Sequence, residues 1–306
     1  MNTENNKKKS FIGTISLFLC ALIWGTAFGA QSVGMNYLEP FSFNGFRSII
    51  AFIALGIVIS IIYLKNKNNP HFSLVKNKKA LIGSIFCGLA LFIGTSTQQI
   101  GISMSTVGKS GFVSALYIFI VPLLGLFFKK KVPLKIWLCV GIALVGLYLL
   151  CVKSGFSIEL GDLFLMLSTL GFASQILIID HISNDINPLL LSAIQFGVVA
   201  ILSIFPTFIL ESPTIEGTIK AMPYLLFAGV LSSGIAYTLQ NYGQKYTKPT
   251  VASLVLSLES VFAAITGFLF LNEEMSGKEF IGCILIFSAI IISQINISKR
   301  KNVSND

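Results

Sequence analysis

Charge is scarce in this sequence. Asp, Glu, Lys and Arg make up 11% of its 306 residues, and only two residues are histidine. Soluble domains carry about 25% charged residues, so this chain lacks the means to cover a water-facing surface of its own size. Its mean hydropathy of +0.81 agrees. Paired cysteines are missing as well. Cys20, Cys87, Cys139, Cys151 and Cys283 are scattered with no CxxC spacing, which with so little histidine excludes a disulfide framework and a zinc site. No Walker-type loop occurs, so ATP is not the direct energy source. The sequence calls for no metal and no cofactor.

Long apolar runs are what the chain has in quantity. Ten stretches, 11–32, 41–64, 80–100, 107–128, 134–152, 161–180, 188–209, 222–244, 249–271 and 277–297, each approach the ~20 residues that a helix needs to cross a ~30 Å hydrocarbon core. They predict an all-α integral membrane protein of ten transmembrane helices, with the lipid bilayer as its solvent and no sizeable soluble domain. The opening MNTENNKKKSFIGTISLFLC resembles a signal peptide, but the apolar run continues past Trp24 to Gln31 without a small-x-small cleavage pattern. It reads as a first spanning helix.

The net charge of +9 does not point to nucleic acid, because Lys and Arg are sorted by connection. Seventeen lie in the N-terminus, the second, fourth and eighth connections and the C-terminus, against four in the alternate set (Lys109, Lys153, Lys220, Lys278). The positive-inside rule then puts both termini in the cytoplasm of a plasma-membrane protein.

The second half repeats the first. Gly13, Leu17, Leu22 and Pro40 align with Gly161, Leu165, Leu170 and Pro188, and Gln98, Gly101, Val113, Leu116, Gly125 and Phe128 align with Gln240, Gly243, Val255, Leu258, Gly267 and Phe270. The two registers differ by six residues, absorbed in the Lys-rich second connection, where a change of length costs little. Five helices per unit, an odd number, turn the second unit upside down. The predicted organisation is therefore two inverted five-helix repeats, 1–152 and 153–306, an architecture that places substrate near the midplane between the repeats.

Within the ninth stretch, SLVLSLESVFAAITGFLFLNEEM (253–275), Glu259 sits near mid-membrane. A carboxylate there costs at least about 2.5–3.5 kcal/mol on insertion scales, so such residues usually face a cavity or a partner. Glu259 shares a helix face with Ala263 and Gly267, a small-residue stripe suited to close packing. In the repeat alignment it corresponds to Tyr117, in SALYIFIVPLLG. The pseudo-twofold axis predicts a phenol and a carboxylate on opposite walls of one central cavity.

ALIWGTAFGAQSVGMNYLEPFSFNGFR (21–47) and IAYTLQNYGQKYTKPTVASLVLSLESVFAAITGFLFLNEE (235–274) resemble the two halves of EamA-type permeases of the drug/metabolite transporter superfamily. The most specific pieces are Trp24-Gly25-Thr26, Pro40 to Arg47, Pro249-Thr250 and the Glu259 to Glu273 spacing. The resemblance implies ten helices in two inverted repeats and a carrier, often an exporter, of small metabolites. Ser260 stands where members of that family often have proline, which weakens the expectation of a kink of their kind in the ninth helix.

Other residues have a structural and a functional reading. Trp24 with Gly25 and Gly29 forms either a small-residue packing groove or a thin wall with Trp24 lining the cavity. Arg47 either snorkels to the interface or offers a cation to an anionic substrate group. Gln98-Gln99 and Gln240-Asn241, toward opposite faces, are interhelical hydrogen bonds or parts of two gates, and Gln175 and Gln195 are further lining candidates. Asp180-His181 reads as a solvated interfacial pair, Glu273 and Glu274 as flank charges, and Pro122 as a kink in the fourth helix.

These residues together predict a secondary transporter working by alternating access. Its substrate, an amino acid, another small metabolite or a drug, binds at Trp24, Gln98, Tyr117, Gln240 and Glu259, with Glu259 the candidate for proton coupling, export the preferred direction and facilitated diffusion the other open mode. The alternative is a membrane enzyme acting on lipid-linked substrates, for which only Asp180-His181 and Asp185 come near the chemistry required. Oligomeric state is not legible.

Overall fold

The computed structural model describes residues 2–67, 69, 73–105, 107–151, 159–270 and 276–295. Glu273, Glu274 and the C-terminal basic cluster lie outside them. The described residues build ten apolar helical segments. They are α1 (Asn2–Gly34), α2 (Pro40–Asn66), α3 (Lys78–Ser103), α4 (Val107–Ala115 and Tyr117–Phe127), α5 (Leu134–Cys151) and α6 (Leu160–Ile182). Then come α7 (Pro188–Leu210), α8 (Ile215–Gln244), α9 (Pro249–Leu256 and Leu258–Phe270) and α10 (Gly277–Gln294). Nine have the length and apolarity to cross a bilayer, and within α5 the qualifying stretch, Leu134–Leu150, is shorter.

The helix starts are written locally. Pro40 and Pro188, equivalent in the repeat, occupy the first turns of α2 and α7, where a missing N–H costs nothing. Asn77, Asn187 and Thr214 cap α3, α7 and α8 by accepting from backbone amides. Ser276 and Glu279 form a capping box on α10.

Packing follows a pseudo-twofold. Helix α1 lies on α8 and α9 as α6 lies on α3 and α4, while α2 packs on α7 and α5 on α10. Equivalent helices meet antiparallel: Gly45 faces Ser203 and Gly197 faces Phe52 between α2 and α7, and Gly146 faces Ile286 and Gly282 faces Leu150 between α5 and α10. An axis relating antiparallel helices runs perpendicular to them, which is the geometry of an inverted repeat. The glycines that reveal the repeat in the sequence are contact points across it. A Cβ on Gly243 would sit 2.7 Å from the Gly13 carbonyl oxygen, and one on Gly101 would sit 3.0 Å from that of Gly161. Gly13 and Gly161 are equivalent in the alignment, as are Gly101 and Gly243.

The two halves are tied on both faces. On the side where α1 begins, Val75 and Ile186 form an antiparallel bridge flanked by Lys76 N–H donating to the Asp185 carbonyl (2.8 Å) and Asn187 N–H to the Leu74 carbonyl (2.7 Å). On the opposite side the Glu211 carboxylate, just after α7, accepts from the amides of Phe41 (2.7 Å) and Ser42 (2.6 Å) and from the Ser42 hydroxyl (2.5 Å). An anion at a helix N-terminus satisfies orphan donors and complements the dipole. Glu211→Ala is expected to destabilise the protein by about 1–2 kcal/mol, seen as a lower unfolding midpoint in detergent with unchanged helix content.

One expectation about helix breaks needs correction. Helix α9 is interrupted at Ser257 although Ser260 replaces the proline: the Ser260 amide bonds back only three residues, to Ser257 (3.2 Å), and its hydroxyl donates across to the Gly111 carbonyl of α4 (3.1 Å). That side-chain bond reaches into the partner helix where a proline ring could not. In α4 the interruption falls at Leu116, within one residue of the equivalent place, and Pro122 lies inside the continuous piece Tyr117–Phe127.

Candidate functional site: a cavity between the two repeats

The interruptions position the central side chains. Tyr117 is the first residue after the break in α4, and Glu259 the second residue of the piece that follows the break in α9. The Tyr117 hydroxyl donates to Glu259 Oε1 at 3.1 Å. Both line a cavity enclosing about 490 Å³ of non-protein space, its opening included. Glu259 is 4% exposed, and no cation meets it among the described ion pairs.

Trp24 enters from α1. Its indole Nε1 donates to the Ser232 carbonyl at 3.1 Å, and its ring lies 4.7 Å from that of Tyr237. Ser232 belongs to Phe227–Ala236, where α8 widens into a π-helix, and wide turns of this kind recur at functional sites. Gly25 packs its backbone on α9 at Glu259, Phe262 and Ala263, so this short stretch both packs and lines. A Cβ added at Gly29 would meet nothing within 4 Å, so no helix packs closely there as one does at Gly25.

Gln98 and Gln240 mark two polar layers. Gln98 Nε2 donates to Ser114 Oγ at 3.1 Å. Gln240 and Gln175 exchange hydrogen bonds at 3.1 and 3.2 Å, and Gln175 Nε2 also donates to Gln195 Oε1 at 3.1 Å. These glutamines bond between helices, and Gln98, Gln175 and Gln240 also face the cavity. Gln195 stands behind Gln175 and does not line it.

Arg47 is 4% exposed, which rules out snorkelling. Its Nε and Nη2 donate to Asn44 Oδ1 at 3.0 and 2.9 Å, and its Nη1 donates to Gln31 Oε1 at 2.7 Å. Asp180 is engaged by Lys130, and neither Asp180 nor His181 reaches the cavity. No group of three or more His, Cys, Asp or Glu able to hold a metal occurs among the described residues.

Sequence reasoning missed Phe28, Gln31, Phe172 and Tyr237, all on the cavity wall. Phe28 and Gln31 follow Trp24 at i+4 and i+7, and Phe172 precedes Gln175 at i+3, so helical spacing from the named residues would have found them. Ser232 and Tyr237 are five apart and share the wall because α8 is widened there. An α-helical wheel separates them.

An inverted pair of helical repeats with a polar cavity at their junction defines the class of helical membrane carriers. The chain matches the EamA-like transporter family over residues 11–152 and 159–294, and it belongs to that family. An uncharacterized transporter of Archaeoglobus fulgidus is 29% identical over 291 residues, covering 94% of this chain and 88% of that protein. The uncharacterized transporter YoaV of Bacillus subtilis is 25% identical over 301 residues, covering 96% and 99%. A solved crystal structure superposes with a TM-score of 0.76 at 16% identity, over 92% of this chain and 96% of that one, a likeness of fold. The protein is thus a multi-pass membrane protein of a transporter family, acting on small molecules in a lipid environment.

Proposed function

We propose that this protein is a secondary transporter that exports a small metabolite by alternating access, driven by proton entry, with both termini in the cytoplasm and the plasma membrane as its site. The two repeats, 1–152 and 153–306, rock about the shared cavity. The observation that carries this reading is the hydrogen bond from Tyr117 to Glu259. It joins equivalent positions of the two repeats at mid-depth, next to the one break in each of α4 and α9. A carboxyl there gains or loses a proton only when water from one face reaches it, and rocking of the repeats changes which face that is. Trp24, Gln98 and Gln240 then form the substrate walls, and the polar layers around Gln98 and Gln240 close alternately.

The test is a thermal-shift screen of purified protein in detergent against amino acids, nucleobases, sugar phosphates and organic cations, with wild type and Trp24→Ala in parallel. A ligand at a hundred times its dissociation constant adds about 2.7 kcal/mol of apparent stability. The expected result is one chemical class that stabilises wild type and loses its effect in the variant. Equal responses from both proteins would remove Trp24 from the binding wall.

A further inference from the structure

Arg47 is a buried cation that the protein leaves uncompensated. A guanidinium carries five N–H donors and no acceptor, and three are used here on two neutral amide oxygens, those of Asn44 and Gln31. The ion pairs among the described residues are Lys76–Asp185, Lys130–Asp180 and Lys220–Glu216, so no carboxylate reaches Arg47 and Glu259 does not pair with it. Both groups nevertheless line the same cavity. Burying a charge without a counter-charge is costly, and a cost carried on a cavity wall is relieved when an anion enters.

The repeat shows that the fold does not require this charge. Asn44 and Arg47 of α2 align with Ser192 and Gln195 of α7, and Ser96 of α3 aligns with Thr238 of α8. The bonding is duplicated: Asn44 Nδ2 donates to Ser96 Oγ at 3.1 Å, and Thr238 Oγ1 donates to Ser192 Oγ at 3.1 Å. Gln195, in the place of Arg47, donates to Asn241 Oδ1 (3.5 Å) and accepts from Gln175. One layer is satisfied by amides and hydroxyls alone. The other adds a cation with two N–H groups to spare.

We propose that Arg47, held in orientation by Asn44 and Gln31, binds the carboxylate of the transported substrate, so that the cargo is a small carboxylate-bearing metabolite. The planar fork of a guanidinium matches two carboxylate oxygens. Asn44 and Gln31 are positioning residues, since they fix the plane of the fork. This proposal rests on the reading of the cavity as the transport site.

The experiment is a thermal-shift titration in detergent with L-alanine, L-leucine and L-phenylalanine, the amides of the same three, pyruvate and inorganic phosphate. Free carboxylates are expected to stabilise wild type and the amides to bind at least tenfold more weakly, with Arg47→Gln, which copies the residue of the other repeat, abolishing that preference. Amino acids without pyruvate identify a zwitterionic cargo, and pyruvate alone a simple carboxylate. Amides that bind as well as acids, no stabilisation by any carboxylate, or an Arg47-dependent response to phosphate alone would each overturn the proposal. The acid–amide comparison in wild type stands even if the variant misfolds. Because binding is read without a gradient, Arg47-dependent binding with no flux in liposomes would sink the transport reading and leave this site standing.

Discussion

Glu259→Gln is expected to abolish proton-driven accumulation of substrate in liposomes while leaving exchange of labelled for unlabelled substrate intact. Glutamine keeps the side-chain volume and an oxygen to accept from Tyr117, which now bonds Glu259 Oε1 at 3.1 Å, but it does not titrate. With a lumen two pH units more acidic than the bath and one proton leaving per substrate entering, the gradient is worth about 2.7 kcal/mol. Wild type then accumulates substrate up to about 100-fold. The variant equilibrates it to a ratio near one. The substrate used is the one found in the binding screen. Accumulation that survives in Glu259→Gln would show that the coupled protons pass through another group.

The second large effect is expected from one methyl group. In Gly25→Ala the new Cβ would sit 2.5 Å from Phe262 Cβ, 2.6 Å from the Glu259 carbonyl oxygen and 2.9 Å from the Ala263 amide nitrogen. None of these atoms swings aside by a rotamer change, so α1 must move off α9. Overpacking of this kind costs about 1–3 kcal/mol, and here it also separates Trp24 from Glu259 across the cavity. A lower unfolding midpoint and a loss of most exchange activity are expected. Gly29→Ala, one turn further along α1, meets nothing within 4 Å and is the control. It should be neutral or stabilising by up to about 1 kcal/mol, since alanine is the better helix former. Similar behaviour of the two variants would refute the close contact at Gly25.

The architecture was legible because a bilayer imposes strong rules on sequence. Length and apolarity mark each span, and the odd number of helices per repeat makes inversion unavoidable. The repeat itself showed in residues such as Gly13 with Gly161 and Gly101 with Gly243, because close helix contact leaves no room for a side chain at those places. Glu259 was legible for a different reason: a carboxylate in hydrocarbon is too costly to be accidental. The break in α9 was not legible. No proline marks it, and the Ser260 hydroxyl beside it bonds the Gly111 carbonyl of another helix, a partner that nothing local at Ser260 predicts.

The sequence by itself determined that the chain spans a membrane, that it does so as two related halves, and that one carboxyl group lies at their centre. Each of these follows from composition or from a spacing along a single helix. Only the tertiary structure decided which polar residues meet. It brought Arg47 of α2 into the same cavity as Glu259 of α9 without pairing them, joined Gln175 to Gln240, and widened α8 so that Ser232 and Tyr237 share a wall. The physical reason is range. Hydrophobic transfer and helix formation act residue by residue or turn by turn, whereas hydrogen bonds and charge placement are settled by which helix faces arrive together.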